Sequence, residues 1–272
     1  MTFVPAHTLV GDAQAPKLAL FLHGALGSGN NLRSLASKLG KQRSEYCFCL
    51  VDLRHHGESQ GAPAPNTLEA CARDLAALVE QLGREPAVIA GHSFGGKTAL
   101  MFAQLFPGRA RQYWILDSNP GTQDPAAGNE VIRVIQSVRS TTTPAADRAH
   151  VVAELTAQGL SSGTANWLAT NLKREPHGFV WRFNLDAIYE LMLDYFRVDL
   201  WPVLESEASD SDFRVVVAER SDRWAPENRA RLEQLVGRDR STAKLHVVPN
   251  AGHWLHVDNP EFLLELMGRD LY

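Results

Sequence analysis

A chain of 272 residues, 44% hydrophobic and 21% charged, has the size and composition of one large α/β domain with room for an insertion. Its formal net charge of -4 and the lack of any Lys/Arg-rich block argue against nucleic acid or an anionic membrane surface as a partner. No apolar run approaches the roughly 18 residues that a membrane-spanning helix needs.

The first residues, Met1-Thr-Phe-Val-Pro-Ala-His7, carry neither the basic nor the apolar region of a secretory signal. Cys47 and Cys49 alternate within an apolar run and so should share one strand face; with Cys71 they read as small buried hydrophobes, not as metal ligands. An odd cysteine count without a signal predicts a reducing, cytoplasmic setting.

Residues 18–22 form a continuous apolar run that stops at His23-Gly24, and residues 46–52 form a second; both read as buried strands. Over 67–82, Leu68, Cys71, Leu75, Leu78, Val79 and Leu82 recur at three- and four-residue spacing. That predicts an amphipathic helix with Thr67 as its N-cap. Residues 87–90 form a strand that drives into Gly91-His-Ser-Phe-Gly95, a helix follows over 97–106, and 112–117 is another strand. Continuous apolar strands separated by helices indicate a parallel sheet covered on both faces.

The rhythm stops after Asp117. Residues 120–207 read as helix and loop with no convincing buried strand, the helices falling over 130–138, 145–158, 164–172 and 185–195. Alternation resumes with a strand over 213–218, a helix over 227–236, a strand over 244–248 and a last helix over 260–269. The expected architecture is a mostly parallel, doubly wound α/β core formed by 1–119 and 208–272. A helical lid over 120–207 interrupts it, with the polar stretch 205–212 as its hinge.

The Gly91 to Gly95 turn has the strand–turn–helix setting of a nucleophile elbow. A serine held in so sharp a turn is strained, and the flanking glycines let strand and helix pack closely. The turn lifts the Ser93 hydroxyl clear of the sheet at a helix N-terminus. A nucleophilic serine needs a base, a carboxylate to orient that base, and donors for an oxyanion. His253 directly follows a strand and Gly252, at the carboxyl end of the sheet, and is the expected base; His256 should pack beside it. Two aspartates compete as the acid: Asp117, which ends the strand after the elbow helix, and Asp222, which follows the 213–218 strand. Either strand end can approach the His253 loop, so the residues alone leave both open.

The N–H groups of Phe94 and of Ala25, in the loop His23-Gly-Ala-Leu-Gly27, are the expected oxyanion donors. That loop lacks the lysine and hydroxyl residue of a phosphate-binding P-loop. His23 should brace the loop, while His55 and His56 form no metal spacing and read as part of a hydrogen-bonded turn. Trp167, Phe179, Trp181, Phe183, Tyr189, Tyr195, Phe196 and Trp201 concentrate in the insertion. Most should form its own core and some should face the cleft above Ser93.

In chain order, His23-Gly24, Asp52-Leu-Arg-His-His-Gly57, Gly91 to Gly95 and Gly252-His253 resemble the α/β-hydrolase superfamily across nearly the whole chain. Gly91-His-Ser-Phe-Gly-Gly-Lys97, Leu116-Asp-Ser-Asn-Pro-Gly121, Ala218-Glu-Arg-Ser221 and Ala251-Gly-His-Trp-Leu-His256 are similar to one branch of it. That branch holds YbfF-type bacterial esterases and related plant and mitochondrial hydrolase-domain proteins. Its acid ends the strand after the elbow, which the resemblance maps to Asp117, with Asp222 as the alternative acid. The resemblance implies a serine esterase for carboxylic esters or thioesters of small to medium acyl groups. It implies a Ser93, His253 and Asp117 triad, a small-molecule ester as partner, and neither cofactor nor metal. A carbon–carbon bond hydrolase or a low-turnover ligand receptor would share these residues. The chain is expected to be a monomer or a homodimer.

Overall fold

In the computed structural model, residues 3–125, 130–207 and 209–272 are described. Seven strands form one sheet: β1 (His7–Val10), β2 (Lys17–Leu22), β3 (Tyr46–Val51), β4 (Pro86–His92), β5 (Gln112–Leu116), β8 (Asp212–Ala218) and β9 (Ala243–Val248). Their spatial order is β1-β3-β2-β4-β5-β8-β9, with β1 antiparallel to β3 and every other pairing parallel.

Alternation along the central strands divides the core in two, because successive side chains point to opposite faces. Leu18, Leu20, Leu22, Cys49, Ile89 and Ile115 belong to one buried cluster, and Ala19, Phe21, Phe48, Leu50, Val88 and Trp114 belong to the other. The first cluster is covered by α2 (Leu68–Leu82) and α3 (Phe94–Leu105), the second by α1 (Arg33–Gln42) and α11 (Pro260–Asp270). Both faces of the central strands β2 to β5 are therefore dry, which is why they read as unbroken apolar runs. Thr67 caps α2 by accepting the Ala70 N–H, and Gly83 ends the helix with φ +64°.

Between β5 and β8 the chain builds α4 (Glu130–Arg139), α5 (Arg148–Ala157), α6 (Ser162–Ala169), β6 (Leu172–Glu175), β7 (Gly178–Trp181), α7 (Leu185–Arg197) and α8 (Trp201–Glu205). The helix expected over 164–172 is corrected: α6 stops at Ala169, and Leu172 opens an antiparallel hairpin with β7. Leu172 continues the helical apolar spacing, but the following Lys173 and Arg174 are exposed, so the strand carries too little alternation to declare itself. Residues 126–129, within the expected lid, and residue 208, at its expected boundary, lie outside the described residues, as do the first two positions of the chain. The chain closes with α9 (Pro226–Val236) before β9, and with α10 (Leu255–Asp258) and α11 after it.

The topology gathers the chemistry. β2, β4, β5, β8 and β9 run parallel and adjacent, so the loops leaving their carboxyl ends meet at one edge of the sheet. Those loops contain His23 to Gly27, Ser93, Asp117, Ser221 and His253.

Candidate active site

β4 passes into α3 with no linker, and Ser93 between them has φ +51° and ψ -114°. Such a conformation is strained for a residue with a side chain and persists only where the surroundings enforce it. Packing supplies that enforcement. A Cβ on Gly91 would stand 2.1 Å from the Gly95 carbonyl oxygen, and one on Gly95 would stand 2.5 Å from that of Leu22. The Ser93 N–H is held by the Leu116 carbonyl at 2.9 Å, which fixes the turn to β5.

His253 lies in the loop after β9, with its side chain 11% exposed. Its Nδ1–H donates to Asp117 Oδ2 at 2.8 Å. Asp117, itself at φ +46°, is buried, and its carboxylate also accepts the Ser221 hydroxyl at 2.6 Å and the Ala218 N–H at 3.2 Å. Three donors fix the orientation of this carboxylate. Asp222 is placed differently. Its side chain is 70% exposed and pairs with Arg223 at 3.1 Å.

Ser93 and His253 line one cavity of about 520 Å³, a volume that includes its opening to solvent. Gly24, Ala25 and Leu26 line it from the β2 side, Val131, Val134 and Trp167 from the inserted helices, and Trp254 from the His253 loop. Among the described residues, no acceptor meets the amide of Ala25 or of Phe94, and Ser93 Oγ makes no hydrogen bond. Of the eight aromatics noted in the insertion, Trp167 is the one on the cavity wall; its indole rests 4.5 Å, centroid to centroid, from that of Trp254. Arg223 and Glu130 form an ion pair on the same wall.

Two neutral histidines brace the Ala25 loop. His23 Nδ1–H donates to the Gly24 carbonyl at 2.7 Å while Nε2 accepts the Leu53 N–H at 3.0 Å. His56 Nδ1–H donates to the Arg54 carbonyl at 2.9 Å while Nε2 accepts the Leu26 N–H at 3.1 Å. One ring nitrogen donates and the other accepts, so each ring is locked as a neutral tautomer. Burial pulls the pKa of His23 down to about 4, and burial with repulsion from His23 pulls that of His56 down to about 3.

His92 performs a similar service behind the expected base: its Nε2–H donates to the His253 carbonyl at 2.8 Å. Its pKa is held well below the ordinary value, by burial first and then by repulsion from His253 and His256. His256 packs 4.9 Å from His92, and burial pulls its pKa down to about 4. Sequence reasoning passed over Ser221 and His92. Both stood in strings already singled out, and only their proximity to Asp117 and to His253 reveals what they hold. Among the described residues no cluster of three His, Cys, Asp or Glu could hold a metal ion, and no helix is long and apolar enough to cross a membrane.

A parallel sheet with a strained serine at one carboxyl end and a histidine–carboxylate pair at the adjacent ends defines a hydrolase of the α/β class. The chain belongs to the alpha/beta hydrolase fold family, whose pattern matches residues 18–260. It is 32% identical over 262 residues to the sn-1-specific diacylglycerol lipase ABHD11 of Mus musculus, covering 94% of this chain and 81% of that protein. It is 26% identical over 257 residues to the esterase YbfF of Escherichia coli, covering 93% and 92% of the two chains. In structure it superposes on a marine microorganism esterase with a TM-score of 0.84 over the whole of both chains, at 24% identity. The chain is thus an esterase/lipase-type member of its family.

Proposed function

We propose that the protein hydrolyses carboxylic esters or thioesters of small to medium acyl groups through an acyl-enzyme on Ser93. Ser93 Oγ attacks the carbonyl carbon while His253 Nε2 takes its proton, and Asp117 holds the imidazole and stabilises its cation. The amides of Ala25 and Phe94 receive the oxyanion of the tetrahedral intermediate. His253 returns the proton to the departing alcohol or thiol. Water then attacks the acyl-serine by the same route, releasing the acid and regenerating Ser93.

The observation that carries this reading is the 2.8 Å bond from His253 Nδ1 to a buried Asp117, on the wall of the cavity that holds the strained Ser93. The two amides without acceptors support the oxyanion assignment, since they leave one donor free on the cavity wall and one directly beside Ser93 to receive a ligand's oxygen. Hydrogen bonds to a catalytic serine are often long before substrate arrives, so the free Ser93 hydroxyl fits a resting enzyme. The segment 120–207 acts as the lid, with Val131, Val134 and Trp167 giving the acyl chain apolar walls. The buried, unpaired Cys47, Cys49 and Cys71 suit a cytoplasmic enzyme.

Ser93→Ala tests the proposal. The variant should fold as wild type and lose p-nitrophenyl ester turnover by at least about a thousandfold. Turnover at wild-type rates would overturn the assignment.

A further inference from the structure

Lys97 is the first charged side chain after Ser93 on the elbow helix, and it is completely buried. A lone ammonium in a dry interior is expensive to maintain, so its surroundings say what it is for. Among the described residues it makes no ion pair. Its Nζ instead donates to the Gly121 carbonyl at 2.8 Å and to the Tyr195 carbonyl at 2.6 Å, and lies 4.7 Å from the centre of the Tyr195 ring. Gly121 opens the inserted segment and Tyr195 sits in the last turn of α7.

The last carbonyls of a helix have no partner within it, and their dipoles point outward with partial negative charge. At the end of α7 three of them are met. The Val198 N–H serves Asp194 at 3.1 Å, Lys97 serves Tyr195, and the Gln123 N–H serves Phe196 at 2.8 Å. Lys97 thus caps an inserted helix from inside the elbow helix. The Tyr195 ring, in turn, packs 6.2 Å from the ring of Phe94, the residue beside the nucleophile.

We propose that Lys97 is a positioning residue for the reaction: its ammonium docks α7 on the elbow helix and so holds Phe94 and its amide in the arrangement that receives the oxyanion. The inference rests on Ser93 being the nucleophile. It gives Lys97 a reason to be charged and buried that packing alone does not supply, since a methionine would fill the same space.

The charged and titratable groups facing Lys97 are Asp194 and Tyr195 on α7 and Asp199 just beyond it. Burial pulls the Lys97 pKa down to about 7, with Asp199 and then Asp194 opposing the fall. Tyr195 stays neutral, burial pushing its pKa up to about 12. Docking should therefore weaken as pH rises through neutrality, while the buried histidines near the site, His23, His56, His92 and His256, stay neutral.

The test is kcat against pH for p-nitrophenyl acetate, from about pH 5.5 to about pH 9.5 at low ionic strength. Wild type should show a limb that falls as Lys97 loses its proton. Lys97→Met should lower kcat by about tenfold to a hundredfold, move KM much less, and abolish the falling limb. Asp199→Asn, at an exposed position, should keep its fold and move the falling limb to lower pH, which decides the matter if Lys97→Met does not fold. A falling limb that survives in Lys97→Met, or that Asp199→Asn leaves in place, overturns the inference. A flat wild-type profile alongside an inactive Ser93→Ala enzyme overturns it alone, whereas an active Ser93→Ala enzyme overturns the nucleophile reading.

Discussion

Replacing Asp117 by Asn removes one charge and keeps the shape, so its cost measures what the carboxylate does for His253. In the proposed mechanism the imidazole becomes a cation in the transition state, with its Nδ1 2.8 Å from Asp117 Oδ2. At an effective dielectric constant of about 20, the attraction at that separation is about 6 kcal/mol. In rate, this corresponds to about four powers of ten. An amide adds a second fault: by donating to Nδ1 it would leave the proton on Nε2, where the serine proton must go. Asp222→Asn is the internal control. That carboxylate is 70% exposed and pairs with Arg223, and exposed ion pairs are worth about 0–1 kcal/mol. Its loss should change kcat/KM by no more than about fivefold. The assay is kcat/KM for p-nitrophenyl butyrate near pH 7, with circular dichroism to confirm both folds. An Asp117→Asn enzyme within about tenfold of wild type would refute the electrostatic argument, as would a collapse of activity in Asp222→Asn.

Two further predictions probe the scaffold. Gly95→Ala would place a Cβ 2.5 Å from the Leu22 carbonyl oxygen and 2.6 Å from that of His23, both backbone atoms that cannot step aside. We expect a loss of about 3 kcal/mol in urea unfolding and an esterase rate at least about a hundredfold lower; a variant with wild-type stability and rate would contradict the close packing at the elbow. Acid should unfold the protein through its buried histidines. His23 and His56 have native pKa values near 4 and 3 against an ordinary 6.5, so below that value the unfolded chain binds protons that the native state refuses. Stability is then lost as pH falls, by about 2 kcal/mol for each of the two between pH 7 and pH 5. Urea midpoints that do not move across that interval would show that these rings are not held neutral.

The central sheet was legible because β2, β3, β4 and β5 are buried on both faces, and a strand with no solvent side writes itself as an unbroken apolar run. β1 was not, because His7 to Val10 is four residues long, only partly buried, and held by its register with β3. The hairpin of β6 and β7 escaped for the same reason, its strands being short and half-buried. At the site, Ser93 and the His253 loop could be read from strand–glycine–helix order, which is local. The competition between Asp117 and Asp222 is not local. It depends on Asp117 turning to φ +46° at the end of β5 while Asp222 sits four residues past β8 in an exposed turn. Lys97 shows the same limit. On its own helix it looks like a surface residue after a turn, and only the later chain, returning as α7, buries it.

The central claim is that Ser93 is the nucleophile, and the most direct measurement is covalent labelling with a p-nitrophenyl alkyl phosphonate. The predicted result is release of one equivalent of p-nitrophenol per chain, a matching mass increase on the peptide containing Ser93, complete loss of esterase activity, and no labelling of Ser93→Ala. Phosphonylation at another residue, or equal labelling of the Ser93→Ala variant, would contradict the account.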